Sequence, residues 1–237
     1  MILLISSLIF YAFGGIKYIF VLVGMTVISY SGGLLIAKSK DVKRRRLSVI
    51  GTISIQILIL LVFKYTNFII SIINNVARGN IREVNIVLPI GISFYTFQLI
   101  TYVVDVYRND CTVQKSFPRL LLYSSLFHQC IAGPIVRYKE IAEQMEHREV
   151  SQGGISMGIS RFCIGLVKKA VLANHLASLA DALMPTNQAM IQTSSVMGLW
   201  FGLLLYMLQI YFDFSAYSDM AIGLGQIVGF HYQENFN

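Results

Sequence analysis

The residues best suited to chemistry lie together near the end of the sequence, in the segment Tyr211–Met220. This segment holds two carboxylates, two serine hydroxyls and two tyrosine phenols, and it follows an apolar run long enough to enter a bilayer. Charged groups at membrane depth are costly and usually persist because they line a pathway or a site. The segment therefore indicates either the wall of a hydrophilic tunnel or substrate pocket, or a polar face that joins helices inside a membrane.

A helical conformation of this segment would bring its polar groups together. In an α-helix, Ser215, Ser218 and Asp219 share one face with Tyr211, because side chains three and four residues apart are neighbours. The same rule lets Asp213 pair with the tyrosine four residues further on. The candidates to line a tunnel or to bind a substrate are therefore Asp213, Ser215, Tyr217, Ser218, Asp219 and, in the run that follows, Asn235.

A second polar set lies earlier in the chain. Asp105 and Arg108 are three residues apart at the end of an apolar run, which indicates either an ion pair at the membrane interface or a structural or binding role deeper in the protein. Arg137 is a further structural candidate. No histidine shows the spacing of a Ser-His-Asp triad or of a metal site, and no phosphate-binding glycine loop is present. The residues alone predict no catalytic group and no metal.

Composition places these groups in a membrane protein. Fifty-five per cent of the residues are hydrophobic, 13% are charged, and the mean hydropathy is +0.64. The net charge of +7 is concentrated in short gaps between apolar runs, as in the basic loop Lys38–Arg46, so it indicates cytoplasmic loops and not nucleic-acid binding. We predict an all-α, polytopic integral membrane protein with spans at Tyr18–Ala37, Leu47–Phe63, Ile86–Val104 and Ser195–Phe212.

Shorter stretches connect these spans. We predict a separate helix at Phe68–Val76, either surface-lying or tucked, and a broken or re-entrant segment at Leu120–Val136. Arg137–Val150 carries alternating charges and indicates an amphipathic piece, while Lys168 and Lys169 are expected to reach towards a membrane interface. The chain shows no internal repeat, and residues 1–237 are expected to form a single integral membrane domain.

Three blocks together resemble a known family. The first is Leu88–Gln98 followed by Tyr102–Arg108, the second is Ala132–Tyr138, and the third is Tyr211–Leu224 with Glu234–Asn237. In this order they resemble the membrane-bound O-acyltransferases, and specifically the bacterial branch that O-acetylates alginate and related cell-surface polysaccharides. The D-alanine transfer protein of teichoic acid modification belongs to the same superfamily.

The resemblance implies a helical bundle of the membrane-bound O-acyltransferase type in the bacterial cytoplasmic membrane. It implies transfer of an acyl group, from acetyl-CoA or another cytoplasmic acyl carrier, to a hydroxyl of a cell-surface polysaccharide, with separate extracytoplasmic partner proteins. No bound cofactor is implied. The family's essential histidine acts as a general base in an Arg-Arg-Trp-His-like run after the block that ends at Asn237.

This histidine has no counterpart in the chain, so we expect the chain to be an N-terminal portion of such an enzyme and inactive alone. Whether it also lacks the first helix of the family stays open from the sequence. The family usually has glycine where Ala216 stands, and proline where His128 stands. Two alternatives stay open from the sequence: transfer of D-alanine to teichoic acid, and a non-catalytic transport or scaffold component of the membrane.

Overall fold

The computed structural model describes residues 1–77, 80–84, 86–130, 136–185 and 194–236. The described residues up to Glu146 form one compact unit, and those from His147 onward form a second. Residues 131–135 lie outside the described residues, and so does Asn237. Residues 131–135 belong to the Leu120–Val136 segment, and most of them also to the Ala132–Tyr138 block. The single membrane domain stays a prediction.

The first unit is a bundle of helices packed around α2. Its helices are α1 (Ile2–Ala12), α2 (Lys17–Lys38), α3 (Val42–Ala77), α4 (Ile92–Arg108), α5 (Phe117–Ser125) and α6 (Tyr138–Glu146). The apolar α2 contacts α3, α4 and α5, because small residues on its surface allow close approach. A Cβ on Gly33, for example, would lie 2.9 Å from the hydroxyl oxygen of Tyr102 on α4.

The helix α3 is longer than the sequence predicted. It is one uninterrupted helix of 36 residues, so the separate surface helix at Phe68–Val76 is wrong. The polar residues that suggested a break are accommodated at the helix surface, where the Asn67 side chain donates to the Val84 carbonyl at 2.9 Å and accepts from the Val84 amide at 3.1 Å. No glycine or proline lies between Gly51 and Gly79 to end the helix.

The helix α4 begins later than predicted for the span Ile86–Val104. It starts at Ile92, after Gly91 in the left-handed conformation (φ 72°), so Pro89 precedes the helix and does not lie in its first turn. A Cβ on Gly91 would overlap the carbonyl group of Cys130, which explains why glycine occupies this turn. The helix has 17 residues and is shorter than the helices α2 and α3 that precede it.

The predicted break after residue 120 is present where the structure describes it. The helix α5 ends at Ser125, and Leu126–Cys130 is non-helical although buried. The predicted amphipathic piece is confirmed by α6, whose residues Tyr138, Ile141 and Met145 are buried at helical spacing while the intervening side chains face outward.

The second unit consists of two long helical stretches that pack against each other, and a π-helical turn interrupts the first of them. It comprises α7 (Gln152–Val167), a π-helical turn (Lys168–Ala173), α8 (Asn174–Leu183) and α9 (Val196–Ile227), and α9 packs along all three preceding elements. Within the described residues, α2, α3 and α9 are the helices long and apolar enough to cross a membrane. They confirm the predicted spans at Tyr18–Ala37, Leu47–Phe63 and Ser195–Phe212, and α9 continues as a helix through Tyr211–Met220.

Glycines let α7 and α9 come into backbone contact. A Cβ built on Gly158 would lie 2.6 Å from the carbonyl oxygen of Gly223, and the reverse substitution meets the Gly158 carbonyl at the same distance. Further along α7, a Cβ on Gly165 would lie 2.7 Å from the carbonyl oxygen of Ala216, and Ala216 is fully buried. Gly158, Gly165 and Gly223 therefore permit close helix packing.

The end of α9 is fixed by a glycine turn. Gly229 adopts the left-handed conformation (φ 83°), its amide donates to the Gln226 carbonyl at 3.2 Å, and the Phe230 amide donates to the Gly225 carbonyl at 2.8 Å. These two bonds are the pair that defines a Schellman motif. The motif satisfies carbonyls that the last turn of the helix leaves free, and it reverses the direction of the chain.

After this turn the chain runs back along α9. We call Phe230–Phe236 the return segment. The ring of Tyr232 lies where a Cβ on Gly225 would be, and the ring of Phe236 packs edge-to-face on Tyr211, with centroids 5.7 Å apart. Successive residues of the return segment therefore contact successively earlier residues of α9, so the two run antiparallel.

We predict that Gly158→Ala lowers the free energy of unfolding by about 1–3 kcal/mol, because the added methyl forces α7 and α9 apart. The measurement is the thermal unfolding midpoint of the purified protein in detergent. The matched control is Gly153→Ala on the same helix, where no atom lies within 4 Å of the new Cβ. That control is expected to be neutral, or stabilising by up to about 1 kcal/mol. Equal destabilisation by both variants would contradict the close approach.

Candidate functional site

The carboxylate of Asp219 is the centre of an ion-pair network on α9. Its Oδ1 accepts from Arg161 Nε at 3.2 Å and from Arg161 Nη2 at 3.0 Å, while its Oδ2 accepts from Lys168 Nζ at 2.6 Å. The Asp219 side chain is 15% exposed. Both oxygens are thus engaged by cations from α7 and from the π-helical turn, which compensates the cost of holding a carboxylate on an apolar helix.

Arg161 extends the network to the return segment. Its two terminal nitrogens donate to the two carboxylate oxygens of Glu234, one each, so the pair is bidentate. The same guanidinium therefore joins α7, α9 and the return segment. A planar guanidinium suits this task because its five N–H groups can serve two carboxylates at once.

A second ion pair lies one and a half turns earlier on α9. Lys169 Nζ lies 2.6 Å from Asp213 Oδ1, and Gln209 Nε2 approaches Asp213 Oδ2 at 3.4 Å. Lys168 and Lys169 were expected to reach towards a membrane interface, but the structure places both ammonium groups on carboxylates of α9. The π-helical turn starts at these two lysines, and such turns often occur at functional sites.

The serines of the polar face differ in their bonding. Ser215 Oγ accepts from Lys168 Nζ at 3.3 Å. Ser218 is 3% exposed, and its Oγ has no hydrogen-bond partner among the described residues. A buried hydroxyl without a partner carries a free-energy cost, so Ser218 is the group on this face most clearly able to gain from a bound polar ligand or water.

The remaining candidates of this set lie around the network. Tyr217 is half-buried and has partners of its own, while Asn235 is exposed in the return segment next to Glu234. The structure thus brings Asp213, Ser215 and Asp219 into contact with cations. The role of all six candidates as a tunnel or substrate site stays a prediction.

Sequence reasoning missed Arg161, although a signal was present. Arg161 and Lys168 are seven residues apart, which places them on one face of a helix, and they face a helix with carboxylates six residues apart. Cations and carboxylates on two apolar helices are expected to pair when no other counter-ion is available.

The first unit contains the second predicted polar set. Asp105 is 3% exposed and its Oδ2 has no hydrogen-bond partner in the described part of the chain, whereas Arg108 is exposed. No ion pair joins the two among the described residues, so the interfacial ion pair is wrong and the alternative of a deeper role fits Asp105. Arg108 lies in the last turn of α4, where the helix dipole favours a cation, and Arg137 is exposed.

Other polar groups on the same face of α4 are buried as well. Gln98 is fully buried and neither atom of its amide has a hydrogen-bond partner within the described ranges. Between Gln98 and Asp105, the Tyr102 hydroxyl accepts from the Gln114 amide at 3.1 Å, and Gln114 Nε2 donates to the Tyr138 hydroxyl at 2.8 Å. This face of α4 therefore has unmet hydrogen-bonding capacity inside the bundle.

A cleft of about 750 Å³ opens beside this cluster, between the loop Asp110–Ser116 and α6. It is lined by both cations and carboxylates, including Lys115, Lys139 and Glu143. Cys111 also lines the cleft, and burial together with nearby carboxylates raises the pKa of its thiol to about 11. The thiol is therefore protonated near neutral pH and is a poor nucleophile. No motif or spacing in the sequence indicated this cleft.

Fold and site together define a helical membrane protein in which cations of α7 and the π-helical turn pair with carboxylates of α9. The model of the MBOAT, membrane-bound O-acyltransferase family matches residues 112–237, which is just over half of the chain. The chain therefore belongs to the membrane-bound O-acyltransferase family. This match includes α5, α6 and the whole second unit with its ion-pair network.

Curated relatives agree with this assignment. The chain is 37% identical over 243 residues to the probable alginate O-acetylase AlgI of Pseudomonas aeruginosa. This match covers all of the chain and 46% of that protein. It is 33% identical over 264 residues to the peptidoglycan O-acetyltransferase of Helicobacter pylori, covering 99% of the chain and 49% of that protein. The teichoic acid D-alanyltransferase of Bacillus subtilis is 24% identical over 156 residues, or 65% of the chain and 38% of that protein. The chain spans about half the length of the curated relatives that cover it fully.

We predict that the pairing of Glu234 makes stability depend on pH. The Arg161 guanidinium lowers the pKa of the Glu234 carboxyl below its ordinary value of 4.5. A carboxyl whose folded-state pKa is lowered contributes stability above its unfolded pKa and loses that contribution as the pH falls through the folded pKa. Wild-type protein is therefore expected to unfold at a higher temperature than Glu234→Gln near neutral pH.

The difference between the two proteins is expected to shrink from about pH 5 downward. It should be small, because the Glu234 side chain is 48% exposed and solvent screens the pair. The measurement is the unfolding midpoint of both proteins across this pH range, with 0.5 M salt as a screening control. A difference that does not change with pH would contradict the pairing.

Proposed function

We propose that the protein functions as an O-acyltransferase, specifically an O-acetyltransferase, that modifies hydroxyls of a cell-surface polysaccharide at the bacterial cytoplasmic membrane. The observation that carries this proposal is the family match over residues 112–237, together with relatives named alginate O-acetylase and peptidoglycan O-acetyltransferase at 33–37% identity across the chain. Both of those relatives are named for acetyl transfer to a glycan.

The polar face of α9 supports the proposal on physical grounds. Acyl transfer to a sugar needs a hydrated, hydroxyl-binding surface at a place that lipid otherwise fills, and polar side chains within a membrane helix commonly mark such a pathway. On α9, the charges are fixed by ion pairs while the Ser218 hydroxyl remains without a partner among the described residues. Fixed charges and a free hydroxyl are what a preorganised polar surface requires.

The donor and the partners are part of the same proposal. An acyl group from acetyl-CoA or another cytoplasmic carrier would have to cross the membrane plane to reach a glycan outside the cell. Extracytoplasmic proteins would then complete or direct the transfer. The second candidate function is D-alanyl transfer to teichoic acid, which the 24% identity to the Bacillus subtilis enzyme favours less.

The test is inactivation of the gene in its own host, followed by chemical analysis of purified surface polysaccharides. Loss of alkali-labile acetate, restored by the unchanged gene, is the expected result. Loss of ester-linked D-alanine with normal acetate would instead support the second candidate. Unchanged levels of both would contradict an acyltransferase and favour a transport or scaffold role.

We predict that Ser218→Ala reduces polysaccharide acetylation by about ten-fold or more, because it removes a hydroxyl of the proposed site. The unfolding midpoint is expected to stay within about 1–2 °C of the wild type, because this hydroxyl has no hydrogen-bond partner in the described chain. The measurement is acetate released per milligram of polysaccharide from cells with equal amounts of the protein in their membranes. The control is Ser178→Ala on α8, whose exposed hydroxyl donates to the Asn174 carbonyl and lies outside the polar face. Normal acetylation by the Ser218 variant would remove this hydroxyl from the site.

A further inference from the structure

The return segment is joined to α7 by an ion pair between Glu234 and Arg161. Phe230–Phe236 has no regular secondary structure. The rings of Tyr232 and Phe236 pack on α9 but leave the intervening residues without an apolar anchor. Between those rings the one ion pair of the segment, among the described residues, is the bidentate contact from Arg161 to Glu234.

The same guanidinium also holds Asp219. Arg161 contacts Asp219 Oδ1 through Nε and Nη2, and both terminal nitrogens, Nη1 and Nη2, donate to the Glu234 carboxylate. A cation that bridges two carboxylates fixes their separation, because each would otherwise repel the other. Lys168 neutralises the second oxygen of Asp219 but makes no contact with Glu234. Arg161 is therefore the group that sets where Glu234 lies relative to the polar face of α9.

We propose that Arg161 is a positioning residue for acyl transfer: it holds the return segment, and with it Asn235, against the polar face of α9 in the geometry that the reaction needs. This inference rests on the proposed function. A small displacement of residues beside a reacting centre lowers turnover strongly even when binding is unchanged, so a positioning role predicts a loss in kcat greater than any change in KM for the donor.

The experiment introduces Arg161→Gln and Arg161→Lys separately into the gene in its own host and compares them with the unchanged gene. Acetyl transfer to polysaccharide and mobility of the return segment are measured on the same membranes. Mobility is read from a nitroxide spin label on Gln233→Cys, in a background where the three native cysteines are replaced. Gln233 is exposed and adjoins Glu234, so the label reports on the segment. Lys169→Gln is the matched control for mobility, because it removes a neighbouring ion pair that does not involve Glu234.

Arg161→Gln is expected to mobilise the label and to lower kcat by roughly 10- to 100-fold, with donor KM changed less than three-fold. Arg161→Lys keeps the charge without the bidentate fork, so it should restore part of both properties, in the order Arg, Lys, Gln. Lys169→Gln should leave the label immobile. A mobile label with normal turnover would overturn the positioning role, and so would reduced turnover with an immobile label. Normal acetate and D-alanine levels after inactivation of the gene in its own host would contradict the proposed function, whereas the mobility result would still test the ion-pair contact.

Discussion

The second unit depends on the pairing of cations on α7 and the π-helical turn with carboxylates on α9. A lone carboxylate on a helix long and apolar enough to cross a membrane would cost several kcal/mol, as would a lone lysine or arginine. Pairing Asp219 with Arg161 and Lys168, and Asp213 with Lys169, offsets that cost and at the same time fixes the rotation of α9 about its axis. Once this rotation is fixed, the other polar side chains of α9 have defined positions.

Close backbone packing makes these pairs geometrically possible. Gly158 and Gly165 remove side chains from α7 where it meets Gly223 and the Ala216 carbonyl, so the helices approach closely enough for short contacts between the charged groups. The Schellman turn at Gly229 then directs the chain back along the same face, which brings Glu234 within reach of Arg161. Glycines at three places thus determine where the charged groups can meet.

The sequence predicted the parts of this arrangement that follow from local patterns. Long apolar runs predicted α2, α3 and α9, and helical spacing predicted that the polar residues of Tyr211–Met220 share a face. The end of α3 was predicted wrongly, because polar residues around Asn67 resemble those at a membrane interface. The hydrogen bonds of Asn67 to Val84 depend on tertiary structure and are not visible in the local sequence. Of the two alternatives for Asp105 and Arg108, the ion pair is absent for a related reason: packing buries Asp105 and leaves Arg108 exposed.

The pairing also constrains what Asp219 can do in chemistry. A general base must offer a free lone pair to the proton that it removes, within hydrogen-bond distance of the acceptor hydroxyl. Both oxygens of Asp219 are already occupied by charged donors, and proton uptake there would break contacts with two cations. The physical role that fits is electrostatic: a fixed negative charge that orders Arg161, Lys168 and Ser215. On this face the hydrogen-bonding capacity that the described residues leave unmet lies beside the ion pairs, at Ser218, and the proposed acyl transfer would draw on it to bind a substrate hydroxyl.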